Sequence, residues 1–213
     1  ISTLEAGSIG VSWTCAWLGM VKGSRVQEGE TIVVFGANGK VGEASVQIGS
    51  SVGGRIISVE RNRDDYNGHA SGPVEVINLS KEADIQRAII DRTNGRGADI
   101  IMNTTGSPYF EIGNQCLAKG GRQIIISTFI EKNEINLRTF YRGNHTLVGV
   151  SNMDHDHIVS GGILENLREG FENGTYKPYP IRSDKIFGLD EVREAYNLVL
   201  QDVTRDRVVI NPQ

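Results

Sequence analysis

Three glycines carry the clearest chemical signal in this chain. Gly36, Gly39 and Gly42 fall within TIVVFGANGKVG, residues 31–42, after a β-branched apolar run and before a helix-compatible stretch. Such a turn lets main-chain N–H groups approach a pyrophosphate closely, and the helix that follows adds its partial positive charge. In this reading Gly36 makes the turn, Gly39 admits the phosphates and Gly42 lets helix and strand pack. The spacing is G-x-x-G-x-x-G, one residue longer than the usual dinucleotide pattern. A purely structural glycine turn has the same spelling, so context decides. Glu60 closes the next strand candidate, 18 residues beyond Gly42, close to the ~20 expected for a carboxylate that accepts from a ribose 2′-hydroxyl. A carboxylate there repels a 2′-phosphate and favours NAD(H). Arg61 and Arg63 pull towards NADP(H), because guanidinium pairs with phosphate, although a solvated basic loop is the simpler account of them.

Other chemistries have less support. Asp154-His155-Asp156-His157 could chelate a metal if extended, with both imidazoles on one face. The same residues also spell an acid-capped helix start, which is the preferred reading. Lys40 is followed by Val41 rather than Ser or Thr, so the mononucleotide P-loop pattern fails. No G-x-S-x-G elbow and no C-x-x-C pair occurs. Cys15 reads as a packing thiol, and His69 and His145 as loop or surface residues. A methyltransferase would use a similar turn and ribose carboxylate.

The elements that must position the turn alternate in type. Strand candidates are Thr31–Phe35, Arg55–Glu60, Val74–Asn78, Asp99–Asn103, Gln123–Thr128 and Thr146–Val150. Helix-period segments lie between them at Val41–Ser51, Ala83–Arg92 and Tyr109–Ala118, the last closed by Lys119-Gly120-Gly121. Strands that are apolar throughout suit a parallel sheet covered on both faces, and the alternation with short connections argues for a doubly wound α/β fold. The tail differs, with helices over Leu164–Phe171 and Glu191–Leu200 and strands over Ser183–Phe187 and Arg207–Ile210.

The 213 residues are 38% hydrophobic and 23% charged, which is ordinary for a globule and excludes a disordered chain. A net charge of −4 gives no general reason to bind nucleic acid or an anionic membrane. No apolar run is long enough to span a bilayer. With two cysteines there is no disulfide framework, so a reducing, cytoplasmic setting is expected.

The order and spacing of the blocks resemble the cofactor-binding part of the medium-chain dehydrogenase/reductase superfamily, which holds zinc-type alcohol dehydrogenases and quinone oxidoreductases. The similar blocks are GVSWTCAWLGMV (10–21), QEGETIVVFGANGKVGEASVQIGSSVGGRIISVER (27–61), TNGRGADIIMNTTG (93–106), LAKGGRQIIIST (117–128), KIFGLDEVREAYNLVL (185–200) and DRVVI (206–210). They cover nearly the whole chain and count against a methyltransferase. The resemblance implies a Rossmann fold of about six strands over residues 29–150, an opening-helix region over 1–28, and C-terminal helices with a last strand over 151–213. It also implies roles. Asn38, Gly39, Lys40 and Val41 would line the pyrophosphate, with Gly36 and Gly42 shaping the turn. Glu60, with Arg61 beside it, would hold the adenosine ribose. Thr104, Thr105 and Gly106 would line the path to the nicotinamide, Ser127 and Thr128 would lie near it, and Arg207 would reach the phosphates.

Two departures follow from the same resemblance. Where zinc alcohol dehydrogenases place a ligand, four residues before a threonine, this chain has Val11 and Cys15. Valine cannot bind zinc, so no zinc is expected. The family's N-terminal GroES-like domain, which supplies most substrate contacts, has no counterpart here, and the first residue is Ile1 rather than Met. The expectation is therefore a chain that binds the cofactor but turns over little or no small-molecule substrate alone. The alternative reading is a non-catalytic NAD(P)(H)-binding sensor or interaction module. Relatives pair through the sixth strand, so a homodimer is expected through His145–Val150, an apolar edge that would otherwise aggregate.

Overall fold

Every residue of the first strand is buried, and its side chains divide between two cores. In β1 (Thr31–Phe35), Ile32 and Val34 face one apolar cluster and Val33 and Phe35 the other. The structure, a computed structural model, describes residues 1–201 and 206–212. The expectation for 151–213 therefore includes five residues, 202–205 and 213, that lie outside the described ones. The chain opens with α1 (Thr3–Trp17), which continues as one π-helical turn over Leu18–Gly23. After β1 come α2 (Lys40–Ser51), β2 (Arg55–Glu60), β3 (Val74–Asn78), α3 (Ile85–Arg92), β4 (Ala98–Asn103), α4 (Phe110–Gln115), β5 (Leu117–Ile125), α5 (Leu137–Gly143) and β6 (Thr146–Gly149). The tail adds α6 (His157–Glu172), β7 (Ile186–Phe187), α7 (Val192–Gln201) and β8 (Val209–Ile210).

The six main strands form one parallel sheet in the order β3-β2-β1-β4-β5-β6. This is the doubly wound arrangement expected from the apolar strands. Helices α1, α2 and α6 cover one face through Trp13, Val46, Ile48 and Phe171. On that side Trp13 packs edge-on against Phe171, with centroids 4.6 Å apart. The other face is covered by α3 and α4 through Ala88, Ile89 and Ile112. The chain turns to opposite sides of β1 after β3, so β1 and β4 flank the switch point where the crevice of such a sheet opens. Strands β7 and β8 pair in a separate two-stranded parallel sheet.

Several boundaries differ from the sequence reading. In the tail, α6 begins at His157 rather than Leu164, residues 183–185 form a 3-10 turn ahead of β7 rather than strand, and β8 is confined to Val209–Ile210. The opening helix begins at Thr3, ahead of the similar block at 10–21, because Ser2 and Glu5 form a reciprocal capping box, an S-x-x-E signal present in the sequence. The helix expected over Tyr109–Ala118 ends at Gln115. Leu117 pairs with Ala98 in the sheet, and the Ala98 N–H donates to the Cys116 carbonyl at 2.8 Å. The buried Leu117 and Ala118 therefore belong to a long, irregular β5, bent where Gly120 takes φ +78°. Consequently β5 starts before Gln123 and stops at Ile125, leaving Ser127 and Thr128 in the loop beyond it. No helix of the described residues is long and apolar enough to cross a membrane.

Candidate functional site

The glycine turn sits at the carboxyl end of β1, beside the switch point. Gly36 has φ +77°, and a Cβ there would stand 2.8 Å from Thr104 Oγ1. The Gly39 N–H closes the turn on the Gly36 carbonyl at 2.9 Å. Gly39 itself is the exposed cap residue of α2 and carries no side chain to shield the first N–H groups of the helix. At Gly42 a Cβ would lie 2.1 Å from the Gly36 carbonyl oxygen and 2.8 Å from Ala37 Cα. Helix and turn touch through backbone there, so only glycine fits.

Glu60 ends β2 and turns back to the same turn. Its Oε1 accepts from the Asn38 N–H at 3.1 Å and from the Ser58 hydroxyl at 2.8 Å. Glu60 is 8% exposed, and its Oε2 has no partner among the described residues. The Asn38 side chain accepts from the Asn67 N–H at 3.2 Å, while its buried Nδ2 lacks a partner.

The opposite wall comes from the loop after β4. Asn103 is fully buried, and its Oδ1 accepts from the N–H groups of Thr105 and Gly106 at 3.1 and 2.8 Å. Its Nδ2 donates to the Gly106 carbonyl at 2.9 Å. Thr104 Oγ1 donates to the Phe35 carbonyl at 2.6 Å, which ties this loop to the end of β1. Gly106 takes φ +77°, and a Cβ there would stand 2.5 Å from the Ser127 carbonyl oxygen.

These walls enclose a groove of ≈ 510 Å³ at the carboxyl ends of the strands. It brings together Gly36, Glu60, Arg61, Thr104, Thr105 and Ser127 of the expected residues. Gly106 and Thr128 line a neighbouring hollow of ≈ 260 Å³, where the Thr128 and Ser107 hydroxyls lie 2.5 Å apart. Asn38, Gly39, Lys40, Val41 and Gly42 form the turn itself and line neither hollow. The Lys40 ammonium points away, donating to the Asp206 carbonyl at 3.3 Å and lying over the Tyr179 ring. Arg207 lies over the same ring and lines a larger groove of ≈ 700 Å³ between α1 and the C-terminal segment. Burial pushes its pKa down, against the opposing influence of Tyr179 and Glu43.

Val11, 73% exposed, faces that larger groove and offers no donor atom. Burial raises the Cys15 thiol pKa and, with a smaller push from Asp84, lifts that of Cys116 to about 12, so neither is a ready nucleophile. Asp156 caps α6 by accepting from the Val159 N–H at 2.8 Å, and His157 is the first residue of that helix. Among the described residues no cluster of three or more His, Cys, Asp or Glu could hold a metal.

The sequence reading missed Asn103, Leu79 and Tyr109. Leu79 and Tyr109 line the groove, and Tyr109 stacks on Phe35 with centroids 5.0 Å apart. Asn103 had a readable signal, an amide ending an apolar strand. Tyr109 had none.

The fold and the turn define a dinucleotide-binding α/β domain. A parallel sheet with its crevice at a glycine turn and a carboxylate closing β2 leave main-chain N–H groups and one carboxylate oxygen for a ligand with phosphates and a ribose. The orphaned Asn38 amide beside the turn fits such an occupant. The comparisons make the assignment more specific. The family of zinc-binding dehydrogenases matches residues 41–164, and the chain belongs to that family. It is 29% identical over 217 residues to a quinone oxidoreductase-like protein 2 homolog of Nematostella vectensis, covering 99% of this chain and 58% of that protein. The chain thus spans little more than half the length of that relative. A crystal structure of an NAD-dependent alcohol dehydrogenase superposes with TM-score 0.81 at 23% identity, over 100% of this chain and 60% of the other. The CurK enoyl reductase does so with TM-score 0.75 at 19% identity, over 99% and 63%.

Proposed function

We propose that this chain is the nicotinamide-dinucleotide-binding part of a medium-chain oxidoreductase that moves hydride between NAD(P)H and a small carbonyl, enone or quinone. The observation that carries the reading is the groove at the switch point, with Glu60 Oε2 free and the glycine turn beside it. The hydride chemistry belongs to the cofactor when bound, and the chain's residues bind and orient it. Asn38, Gly39, Lys40 and Val41 line the pyrophosphate, Lys40 and Val41 offering it the first N–H groups of α2 while those of Asn38 and Gly39 hold the turn together through Glu60 and the Gly36 carbonyl, with Arg207 the nearby cation. Glu60 accepts from the adenosine ribose. Thr104, Thr105, Gly106, Ser127 and Thr128 line the way to the nicotinamide.

NAD(H) is the favoured cofactor because an unpaired carboxylate oxygen faces the groove, and Arg61 on the same rim keeps NADP(H) as the alternative. Zinc independence is supported by Val11, which lacks a ligand atom. The substrate class is supported by the relatives' names, which speak of quinone, alcohol and enoyl chemistry. A second reading is a non-catalytic NAD(P)(H)-binding sensor or interaction module, which a groove that binds and orients the cofactor would serve as well. Hydride transfer from NAD(P)H to a small carbonyl, enone or quinone separates the two.

A homodimer through His145–Val150 is supported by β6, which forms one outer edge of the sheet with Thr146, Leu147 and Gly149 exposed. A monomer in sedimentation at micromolar concentration would refute it.

The main test is a thermal-shift titration with NADH, NADPH and S-adenosylmethionine at equal concentrations. At 100 times its dissociation constant a ligand of the folded state stabilises by about 2.7 kcal/mol, which moves the melting temperature by a few degrees. A shift with NADH alone is expected. A shift with NADPH alone would make Arg61 and Arg63 the readers, and no shift with either nicotinamide would sink the reading.

A further inference from the structure

We propose that Tyr179 is a positioning residue for the phosphate turn, holding the first residue of α2 and the C-terminal cation Arg207 at one corner. This rests on the reading of that turn as the pyrophosphate site. Tyr179 is fully buried, yet it lies far along the chain from the glycines. Its hydroxyl donates to the Lys40 carbonyl at 2.5 Å. The Lys40 ammonium lies over its ring at 5.4 Å from the centroid, and the Arg207 guanidinium at 4.6 Å.

The surrounding contacts fix the ring in place. Lys177 and Gln47 exchange hydrogen bonds of 2.7 and 3.0 Å, pinning this segment to α2. The Arg207 N–H donates to the Pro180 carbonyl at 2.9 Å, and its Nη2 donates to Ser12 Oγ of α1 at 2.8 Å. Two cations brought together in a half-buried corner repel each other, and an aromatic face offsets that repulsion with its negative quadrupole. The hydroxyl bond fixes the first carbonyl of α2, and with it the direction of the N–H groups that open the helix. Both effects act on the charge and donors offered to phosphates. Neither touches the adenosine side of the groove, whose lining residues do not include Tyr179.

The test measures binding of ADP and of adenosine to the full 213-residue chain by calorimetry, for wild type, Tyr179→Leu and Tyr179→Phe. Wild type is expected to prefer ADP. Tyr179→Leu should cut that preference by about tenfold while leaving adenosine binding within about twofold. Tyr179→Phe keeps the ring and loses only the hydroxyl, so its preference should fall by about threefold. If Tyr179→Leu does not fold, Tyr179→Phe decides alone. An unchanged preference, or an equal loss for both ligands, would make Tyr179 plain core packing and overturn the proposal. A wild type with no preference for ADP would sink the phosphate reading of the turn and this proposal with it, whereas a wild type that also ignores NADH would sink the proposed function itself.

Discussion

The two ends of the parallel sheet use polar groups in opposite ways. At the amino end the charges satisfy one another. Arg122 makes a two-pronged pair with Glu30 at 2.6 and 2.9 Å and also donates to the Ser24 carbonyl at 2.7 Å. Arg96 grips Asp99 through two bonds of 2.6 Å, and Asp99 accepts from the Thr31 N–H at 2.8 Å. At the carboxyl end, Glu60 uses one oxygen, Arg61 has no ion-pair partner among the described residues, and an Asn38 amide nitrogen has no acceptor. The amino end spends its hydrogen-bonding capacity on stability, whereas the carboxyl end holds some in reserve. Spare capacity gathered at the end of the sheet where the groove opens is what a ligand site requires.

Substitutions at the two ends should therefore fail differently. The largest effect is expected at the carboxyl end where backbone meets backbone. Gly42→Ala puts a methyl 2.1 Å from the Gly36 carbonyl oxygen. It should cost about 3 kcal/mol in urea unfolding and abolish the NADH-induced thermal shift. At the amino end, Arg122→Met strands Glu30 in a pair whose side chains are 17% and 18% exposed. That should cost about 2 kcal/mol, between the values for surface and buried pairs, and leave NADH affinity within about twofold. Loss of NADH binding in Arg122→Met would erase the division of labour.

How far the sequence shows this division depends on the range of the interaction. The six strands and the glycine turn were legible because they rest on local signals, namely apolar runs, glycine spacing and a carboxylate at a strand end. Even the packing role of Gly42 is legible in its spacing from Gly36 and Gly39. The wall formed by the Asn103 loop was not, because a buried asparagine takes its meaning from the N–H groups that fold back on it. The early start of β5 escaped for a similar reason. Leu117 and Ala118 fit a helix locally, and only pairing with Ala98 makes them strand. The direction of the Lys40 side chain, towards Tyr179 and Asp206 rather than into the groove, depends on contacts more than a hundred residues apart in sequence.

A smaller effect on stability, but a sharper one on function, is expected from Glu60→Gln. The amide oxygen still accepts from Asn38 and Ser58, so stability should change by under about 1 kcal/mol. The lost charge should weaken NADH and relieve the repulsion of a 2′-phosphate, swinging the NADH-to-NADPH affinity ratio by about tenfold. An unchanged ratio would show that the reserve at the carboxyl end lies in the main chain alone.

The subtlest expectation concerns acid. Burial by itself would raise the Asp99 carboxyl pKa, but the bonds from Arg96 and the Thr31 N–H, with the charges of Arg96 and Arg122, outweigh it and hold the group below its ordinary range. A carboxylate with a depressed folded pKa contributes stability that is fully present above its unfolded value, near ~4, and is lost as pH falls through the folded value. Stability measured by urea unfolding should therefore be level through neutral pH and decline below about pH 4. Asp99→Asn should lower the neutral plateau and flatten that decline. If Asp99→Asn left the acid limb as steep as in wild type, the acid-sensitive charge would lie elsewhere, and the satisfied amino end would owe its stability to packing rather than to its ion pairs.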